Sequence, residues 1–388
     1  CGIPSNSGLP EFMSQIVYLN GAFMPIEEAR IPVLDRGFIF GDGVYELIPV
    51  YSRHPFRLQE HLRRLNASLA SLRIPNLYDT ATWCRHIEEL VKRNAAEDQS
   101  IYIQVTRGPA PRDHAFPAHV EPTVFMMSNP LITPPASLVE SGAVAISSQD
   151  IRWDHCDIKA ISLLPNVLLR QMAVDEGAVE TILFRDGMLT EGAASNIFAV
   201  DNGVILAPPK DQHMLPGITY DLILELAESE GIPVDIGYFP EARIRSADEL
   251  WMTSSTKEIL PIVQLDATPI ANGLPGPIFK RMYRLTSFIK TTSCVARRPL
   301  MADQETLIEF PCDFPIKVMG ETHDTFSDTV VEVIRLHLPD FDATRVEMRA
   351  SSGGRYISLT CYVYVTSKPQ LDDIYRALTS HPSVKVVL

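Results

Sequence analysis

Residues 151–166 have the sequence IRWDHCDIKAISLLPN, and residues 190–196 have the sequence TEGAASN. In the first stretch Lys159 leaves an extended segment and enters a nearly apolar run, and in the second Glu191 lies on a β-turn-β segment. Apolar surroundings desolvate an amine and lower its pKa, which favours attack on an aldehyde. A carboxylate that keeps a pyridine nitrogen protonated makes the ring an electron sink. The pair therefore predicts a pyridoxal phosphate site, with the lysine as the Schiff-base residue.

A phosphate needs its own cradle, and three segments could supply it. Residues 217–219 lie at a predicted helix start, where backbone N–H groups and the helix dipole favour an anion. Residues 254–256 offer hydroxyl groups, and Arg64 in an earlier helix offers a fixed charge. Each segment alone is typical of helix capping or of surface charge. Together with Lys159 they favour a phosphate site.

A loop with the sequence TRGPAPRDHAFP, residues 106–117, carries Arg112 and His114 two positions apart. Two cationic or donor side chains in one loop suit a substrate carboxylate. The combination of this loop with the predicted cofactor site indicates an enzyme of amino-acid chemistry.

Two other motifs do not support a site. GDGVYE, residues 41–46, contains two of the glycines of a dinucleotide fingerprint but lacks the third glycine and the acidic residue that follows. His155, Cys156 and Asp157 are consecutive, and consecutive side chains of a strand point to opposite faces, so they cannot converge on one metal ion. The sequence therefore predicts no dinucleotide and no metal.

Composition narrows the class of protein. The chain has 388 residues, 46% of them hydrophobic, and a net charge of −14 at pH 7, which argues against nucleic acid or an anionic membrane as the main partner. The six cysteines form no CxxC pair, which favours reduced thiols in the cytoplasm. We find no apolar run that could span a bilayer and no secretory signal. We interpret residues 1–12 as an added leader and Met13 as the native start.

The apolar pattern predicts an α/β chain of several domains. Residues 13–290 contain strands with alternating apolar and polar residues, and amphipathic helices between them. Two hairpins have turn signals, one at Asn20-Gly21 and one at 201–203. Residues 303–388 follow the order β-α-β-β-α-β, which is ferredoxin-like. The predicted divisions are a leader at 1–12, a small N-terminal domain at 13–134, a larger cofactor-binding domain at 135–290, a linker at 291–302 and a C-terminal domain at 303–388.

Residues 13 to about 290 resemble the fold-type IV, or class IV, pyridoxal phosphate aminotransferases, and within them the D-amino acid aminotransferases. The matching stretches are DRGFIFGDGVYE, EHLRRL, QVTRGPAPRDHAFP, DIRWDHCDIKAISLLPNVL, TEGAASNIF, PGIT and MTSSTKEI. The family often has a serine run after the glutamate, where this chain has Ala193 and Ala194.

The resemblance assigns a role to each candidate residue. It implies that Lys159 is the Schiff-base lysine, that Glu191 pairs with the pyridine nitrogen and that Arg64 is the phosphate arginine. The residues implied to complete the phosphate cup are Ile218, Thr219 and Ser255. The residues implied to hold the substrate α-carboxylate are Tyr45, Arg112 and His114. Class IV enzymes are usually homodimers, so the resemblance also implies a homodimer.

Residues 303–388 resemble the YbeD-like family of unknown function, whose fold is similar to ACT regulatory domains. FPCDFPIKVMG and the terminal VKVVL carry this resemblance. Met301 is a second possible start, so the chain is either a natural fusion or a read-through of two neighbouring genes.

The resemblance implies transamination between a D-amino acid, with D-alanine as the expected donor, and 2-oxoglutarate, which yields pyruvate and D-glutamate. Two alternatives within the same fold are an L-branched-chain aminotransferase and an aminodeoxychorismate lyase. A third alternative is a non-catalytic protein whose ACT-like tail binds a small effector or a partner.

Overall fold

The structure, a computed structural model, describes residues 15–119, 121–295, 311–323, 325–350, 356–381 and 383–387. The predicted leader and residues 296–302 of the predicted linker lie outside these ranges. The chain divides into two units, of which the first holds residues 1–199, 208–220 and 237–275 and the second holds residues 200–207, 221–236 and 276–388.

The first sheet of the first unit is antiparallel and begins with the predicted hairpin. Its strands are β1 (Ile16–Leu19), β2 (Ala22–Pro25), β3 (Gly43–Tyr51), β4 (His54–Pro55), β5 (Gln99–Thr106) and β6 (Thr123–Pro130). They lie in the order β2-β1-β6-β5-β3-β4. The hairpin turn has positive φ angles of 46° at Asn20 and 97° at Gly21, which these two residue types tolerate in a tight turn.

Helices pack on this sheet and complete its core. A short helix, α1 (Arg36–Phe40), precedes β3, and the two longer ones are α2 (Leu58–Ser71) and α3 (Thr80–Arg93). The predicted amphipathic helix is α2, and α3 is additional to the prediction. Leu62, Leu65, Trp83 and Ile87 are buried in one cluster with side chains of the sheet, so both longer helices gain their stability from apolar burial.

The next part of the chain alternates strands and helices. The strands are β7 (Ala143–Gln149), β8 (Glu180–Arg185), β9 (Met188–Gly192), β10 (Asn196–Asp201), β11 (Val204–Ala207), β12 (Val234–Ile236), β13 (Glu249–Ser254), β14 (Glu258–Leu265) and β15 (Thr268–Pro269). The helices are α4 (Ala136–Ser141), α5 (Leu164–Asp175), α6 (Ile218–Ser229), α7 (Glu241–Arg245) and α8 (Pro277–Val295). Strands of the first unit run in the order β10-β13-β14-β7-β8-β9. In the second unit β11 and β12 pair in parallel.

The segment that carries Lys159 is fixed against β3 and α2. Tyr45 N–H donates to the Lys159 carbonyl at 2.9 Å, and Ile161 N–H donates to the Gly43 carbonyl at 3.0 Å. Lys159 N–H donates to the Ser68 hydroxyl at 3.2 Å. A Cβ on Gly43 would lie 2.7 Å from a carbonyl oxygen of β5, so only glycine permits this approach.

The C-terminal domain, residues 311–387 in the described chain, belongs to the second unit. Its elements are β16 (Cys312–Glu321), α9 (Phe326–Arg335), β17 (Val346–Ala350), β18 (Tyr356–Val365), α10 (Lys368–Ser380) and β19 (Val384–Val387). The sheet order is β17-β18-β16-β19, and all three pairs are antiparallel. This confirms the predicted ferredoxin-like order.

Helix α8 runs to Val295, five residues into the predicted linker. It has 19 residues but carries Lys280, Arg281 and Arg284. No helix in the described part of the chain combines the length and apolarity needed to cross a membrane.

Candidate active site

A cavity of about 510 Å³ in the first unit collects most of the predicted site residues. This volume lies in the range of small-molecule sites. The predicted residues that line it are Tyr45, Arg64, Lys159, Glu191, Ile218, Thr219 and Ser255. They come from β3, α2, β9, the start of α6, the β13–β14 turn and the segment that carries the lysine, so the fold brings together residues that are distant in sequence.

Lys159 projects into this cavity over Tyr45. Its amine nitrogen lies 4.1 Å from the centroid of the tyrosine ring, a cation–π geometry that fixes the direction of the side chain. Because its backbone is bonded to both β3 and α2, the lysine has a defined position in the cavity.

Glu191 is bound by an arginine that the sequence analysis does not predict. One Nη atom of Arg152 donates to the Glu191 carboxylate, and its Nε and other Nη donate to the two oxygens of Asp150, each at 2.9 Å. All three side chains are buried. A signal exists in the sequence, because Asp150 and Arg152 are two residues apart and therefore share a face of an extended segment.

The remaining contacts of Glu191 are neutral donors. Leu215 N–H lies 3.2 Å from one carboxylate oxygen, and the Asn196 amide donates to the same oxygen at 3.1 Å. Burial raises the pKa of Glu191 to about 7, although Arg152 acts to lower it. A cationic group placed beside this carboxyl would lower that pKa and favour its charged form.

Arg64 is a buried cation that lines the same cavity. It donates to both oxygens of Glu46, at 3.1 and 2.5 Å, and to the Pro216 carbonyl at 2.9 Å. Burial raises the pKa of Glu46, but Arg64 and His61 lower it more, so it lies well below its usual range. Three of the five N–H donors of an arginine are thereby used, which leaves two for a ligand.

His61 and Glu46 are further residues that the sequence analysis does not predict. His61 is 1% exposed, and its Nδ1 lies 3.5 Å from a Glu46 carboxylate oxygen without the geometry of a hydrogen bond. Burial lowers its pKa, even though Glu46 acts to raise it. The His61 imidazole therefore lies beside the buried Glu46–Arg64 pair.

The start of α6 and the β13–β14 turn supply donors for an anion. Ile218 and Thr219 are in the first turn of α6, where backbone N–H groups have no partner within the helix. Thr253 lines the cavity, and its hydroxyl is buried with no partner among the described residues. A Cβ on Gly217 would clash with the Asn196 amide oxygen, so glycine is needed for the helix to begin here.

Arg112 and His114 lie elsewhere. Neither occurs among the described residues that line the cavity, and both are exposed. The Arg112 guanidinium carbon lies 5.5 Å from the Phe40 ring centroid, and the His114 ring lies 5.4 Å from it. The structure of a single chain therefore does not bring these two residues together with Tyr45.

Cys156 lines the cavity, but its thiol is protonated and bonded to the backbone. Its thiol donates to the Trp153 carbonyl at 3.2 Å, and burial raises its pKa to about 12. Within the described ranges, no three or more His, Cys, Asp and Glu side chains are placed to hold a metal ion.

Two family models match the chain. The one described as amino-transferase class IV matches residues 43–265, and the one described as a protein of unknown function, DUF493, matches residues 305–388. The second match agrees with the resemblance of the C-terminal residues to YbeD-like proteins.

Named relatives match the first part of the chain. A D-alanine aminotransferase of Bacillus licheniformis is 38% identical over 266 residues, which are 69% of this chain and 94% of the relative. One of Staphylococcus aureus strain MW2 is also 38% identical, over 267 residues, 69% of this chain and 94% of the relative.

Solved structures match the same part. A branched-chain amino acid aminotransferase of T.th., complexed with N-(5'-phosphopyridoxyl)-L-glutamate, has a TM-score of 0.67 and 28% identity, and the match covers 74% of this chain and 96% of that one. The branched-chain enzyme of Escherichia coli has a TM-score of 0.64 and 26% identity, with 70% and 92% covered.

Proposed function

The chain belongs to the class IV aminotransferase family, and on that premise we propose that it transfers the amino group of a D-amino acid to a 2-oxo acid. D-Alanine is the proposed donor and 2-oxoglutarate the proposed acceptor, so the products are pyruvate and D-glutamate. The cofactor is pyridoxal phosphate. The observation that carries the proposal is the 38% identity to D-alanine aminotransferases over 94% of their length.

The cavity fits this cofactor by the chemistry of its donors. Arg64, the first turn of α6 and the hydroxyls of residues 253–256 would hold the phosphate, and the unpartnered Thr253 hydroxyl gains an acceptor in this way. Glu191 would pair with the pyridine nitrogen, and Lys159 would hold the aldehyde carbon. When bound, pyridoxal phosphate withdraws the electrons that are left on the substrate Cα after deprotonation.

Lys159 performs the proton transfers in this proposal. With a substrate bound, the free Lys159 amine would take the proton from the substrate Cα and would deliver it to the cofactor carbon that the lysine holds in the absence of substrate. Its position 4.1 Å over the Tyr45 ring keeps the amine on one side of the cavity. Transfer of the amino group to the second substrate reverses these steps, which gives ping-pong kinetics.

Arg152 and Asp150 act through Glu191. Arg152 binds one oxygen of the Glu191 carboxylate and thereby orients the whole carboxylate toward the pyridine ring of the cofactor. Such supporting contacts commonly hold a binding residue in place. Two carboxylates hold Arg152 itself, because Asp150 binds the Nε and the second Nη while Glu191 binds the first Nη. The carboxylate cluster is therefore oriented before the cofactor binds.

Arg112 and His114 are proposed to hold the substrate α-carboxylate with Tyr45. Because they are exposed and outside the cavity of their own chain, the proposal requires a homodimer in which a second copy brings its loop to the cavity. Exposed apolar side chains on α5 support an interface near the cavity mouth: Leu164 is 70% exposed, Val167 60% and Leu168 52%.

The rival function is transamination of L-branched-chain amino acids, which the solved structures favour. Both enzymes would use Lys159 and Glu191, and they differ in which face of Cα points to the lysine. Fixing the carboxylate selects that face, so the residues that bind it determine the stereochemistry.

A visible absorption spectrum of the purified protein separates the two. We expect the cofactor band to disappear when D-alanine is added and to return when 2-oxoglutarate follows. L-Leucine and L-alanine at the same concentration should leave the band in place. A band that responds to L-leucine and not to D-alanine would establish the rival function instead.

We also propose that the chemistry is confined to residues 13–290, as a small domain at 13–134 and a larger one at 135–290. Residues 303–388 would form a separate ACT-like domain. The support is that all the cavity residues lie between Tyr45 and Thr256.

A further inference from the structure

We propose that Arg36 and Asp42 are positioning residues for the loop that carries Arg112 and His114, and that they thereby determine how tightly the substrate carboxylate is held. This inference rests on the proposed function, because it concerns the same carboxylate site. Neither residue lines the Lys159 cavity among its described residues, so each would act through the loop.

Arg36 binds the backbone of the loop directly. It is 4% exposed, and one of its Nη atoms donates to the Asp113 carbonyl at 2.5 Å and to the Ala115 carbonyl at 3.3 Å. The other Nη donates to the His114 carbonyl at 3.4 Å. A single planar guanidinium thus fixes three successive peptide groups between and beyond the two proposed carboxylate ligands.

Asp42 fixes Arg36 in turn. The Nε of Arg36 donates to one Asp42 oxygen at 2.7 Å, and Arg107 donates to both oxygens, at 2.8 and 3.0 Å. Burial raises the pKa of Asp42, but hydrogen bonds from Arg107 and Arg36 lower it more, so the carboxylate is charged at neutral pH. The orientation of Arg36 is therefore set by a charged partner that is itself held from a second side.

The far end of the loop is held by the same network. The Arg107 guanidinium carbon lies 3.7 Å from the centroid of the Phe116 ring, and that of Arg36 lies 4.8 Å from the Phe40 ring. Phe40 is also the ring against which Arg112 and His114 lie. The loop is thus anchored at its backbone by one arginine and at its end by another.

Apart from ring contacts and the hydrogen bond from Ala115 N–H to the Asp113 carboxylate, the described contacts of the exposed stretch of the loop come from Arg36. Residues 111–116 are all exposed, so burial of their side chains contributes little to their position. The hydrogen bonds from Arg36 therefore restrain the backbone that carries Arg112 and His114. A lysine in place of Arg36 keeps the charge but cannot present donors in a plane to three carbonyls.

Arg36→Lys is the test variant, and Arg53→Lys is its matched control. Arg53 also binds several backbone carbonyls, those of residues 91, 92 and 94–96 at the end of α3 and in the loop after it, but that segment carries no proposed site residue. We expect Arg36→Lys to raise KM for D-alanine by about tenfold, as loss of one charged hydrogen bond would. Its kcat and its cofactor absorption should stay near those of the parent, and Arg53→Lys should leave KM unchanged.

A double-mutant cycle with Arg112→Ala distinguishes positioning from a general structural role. If Arg36 acts through the loop, Arg36→Lys should raise KM by a smaller factor once Arg112 is alanine, because only His114 is then left for it to position. Additive effects, or a raised KM for Arg112→Ala with an unchanged KM for Arg36→Lys, would overturn the inference alone. An unchanged KM for Arg112→Ala would overturn the proposed carboxylate role, and this inference with it.

Asp42→Asn provides a second variant that keeps the shape of the side chain. It should reproduce the rise in KM in smaller degree, with kcat preserved, since Arg36 loses its charged anchor. If Arg36→Lys does not fold, the result for Asp42→Asn decides, and an unchanged KM there would overturn the inference.

Discussion

The Lys159 cavity and the C-terminal domain differ in what they bury. Around the cavity Glu46, Arg152 and Glu191 are all buried, whereas the buried side chains of the C-terminal domain, within its described residues, are apolar ones such as Val318 and Leu359. Burying charges is costly even when they are paired, while apolar burial stabilises directly. The difference indicates that the cavity is built for chemistry, whereas the described core of the C-terminal domain contains no buried charged side chain.

Of all the residues around the cavity, Lys159 should have the largest effect on transamination when it is replaced. We expect Lys159→Ala to abolish transamination and to remove the visible band of the cofactor-bound protein, because no other amine would hold the cofactor and move the Cα proton. Activity assays and absorption spectra measure both losses.

Lys257 is the control for this prediction, and burial lowers the pKa of its amine. It donates to the Val179 carbonyl and does not occur among the described cavity residues. Lys257→Met should keep the visible band. Transamination at the parent rate in Lys159→Ala would refute the whole proposed site.

Glu191→Gln should have the next largest effect. The variant should still bind the cofactor, but its kcat should fall on the order of 10²-fold or more, since a preorganised charge that stabilises the transition state is lost. Glu180→Gln is the matched control, because Glu180 is equally buried but bonded to the Ser195 hydroxyl. An equal loss in both variants would mean that any buried carboxylate here is merely structural.

The pH dependence of stability should also differ between the two regions. In the cofactor-free protein the pKa of Glu191 is raised from 4.5 to about 7, so the folded state retains a proton that the unfolded state loses. The stability from this group is present below pH 4.5 and is lost as the pH rises to about 7. Denaturant unfolding of the cofactor-free parent at about pH 4 and about pH 7.5, on either side of this window, should show this fall.

Glu191→Gln should remove this part of the pH dependence, which identifies its source. In the C-terminal domain, burial raises the pKa values of the buried Cys361 and the partly buried Tyr375 to about 12. They do not titrate between pH 4.5 and 7, so the unfolding of that domain should not depend on them in this window. An identical pH dependence of the parent and Glu191→Gln would contradict the proposed role of burial at this carboxyl.

Removal of the C-terminal domain should have the smallest effect on the chemistry. We expect a chain that ends near Lys290 to fold, to bind pyridoxal phosphate and to transaminate D-alanine at a rate close to that of the full chain. Glu230 would lose its ion pair with Lys317, at 3.3 Å, but would keep the one with Arg281, at 2.5 Å. A truncated protein that holds the cofactor but has an altered KM would show that the C-terminal domain regulates the site.

The local features of the site could be predicted from the sequence. Lys159 before an apolar run, Glu191 in a turn of small residues and the glycine at the start of α6 each depend on their own neighbours in the chain. Asn20-Gly21 and the β-α-β-β-α-β order follow from turn chemistry and apolar period in the same way.

The partners of these residues could not be predicted, because they depend on pairing between distant segments. Glu46 reaches Arg64 only because β3 lies beside α2, and Arg152 meets Glu191 from 39 residues away. The position of Arg112 depends on contacts of its loop with Arg36, which lies much earlier in the chain. A motif shows which side chains are available, and the fold decides which of them meet.

Asn196 has a consequence for how this sequence can change. Its amide donates both to Glu191 and to the Leu215 carbonyl, and its oxygen occupies the space that a Cβ on Gly217 would need. One side chain therefore links the carboxylate proposed to bind the pyridine nitrogen to the segment before α6. It thereby restrains the distance between that carboxylate and the proposed phosphate site. A side chain at position 217 needs a smaller residue at position 196, so we expect laboratory evolution to replace Gly217 only together with a change at 196.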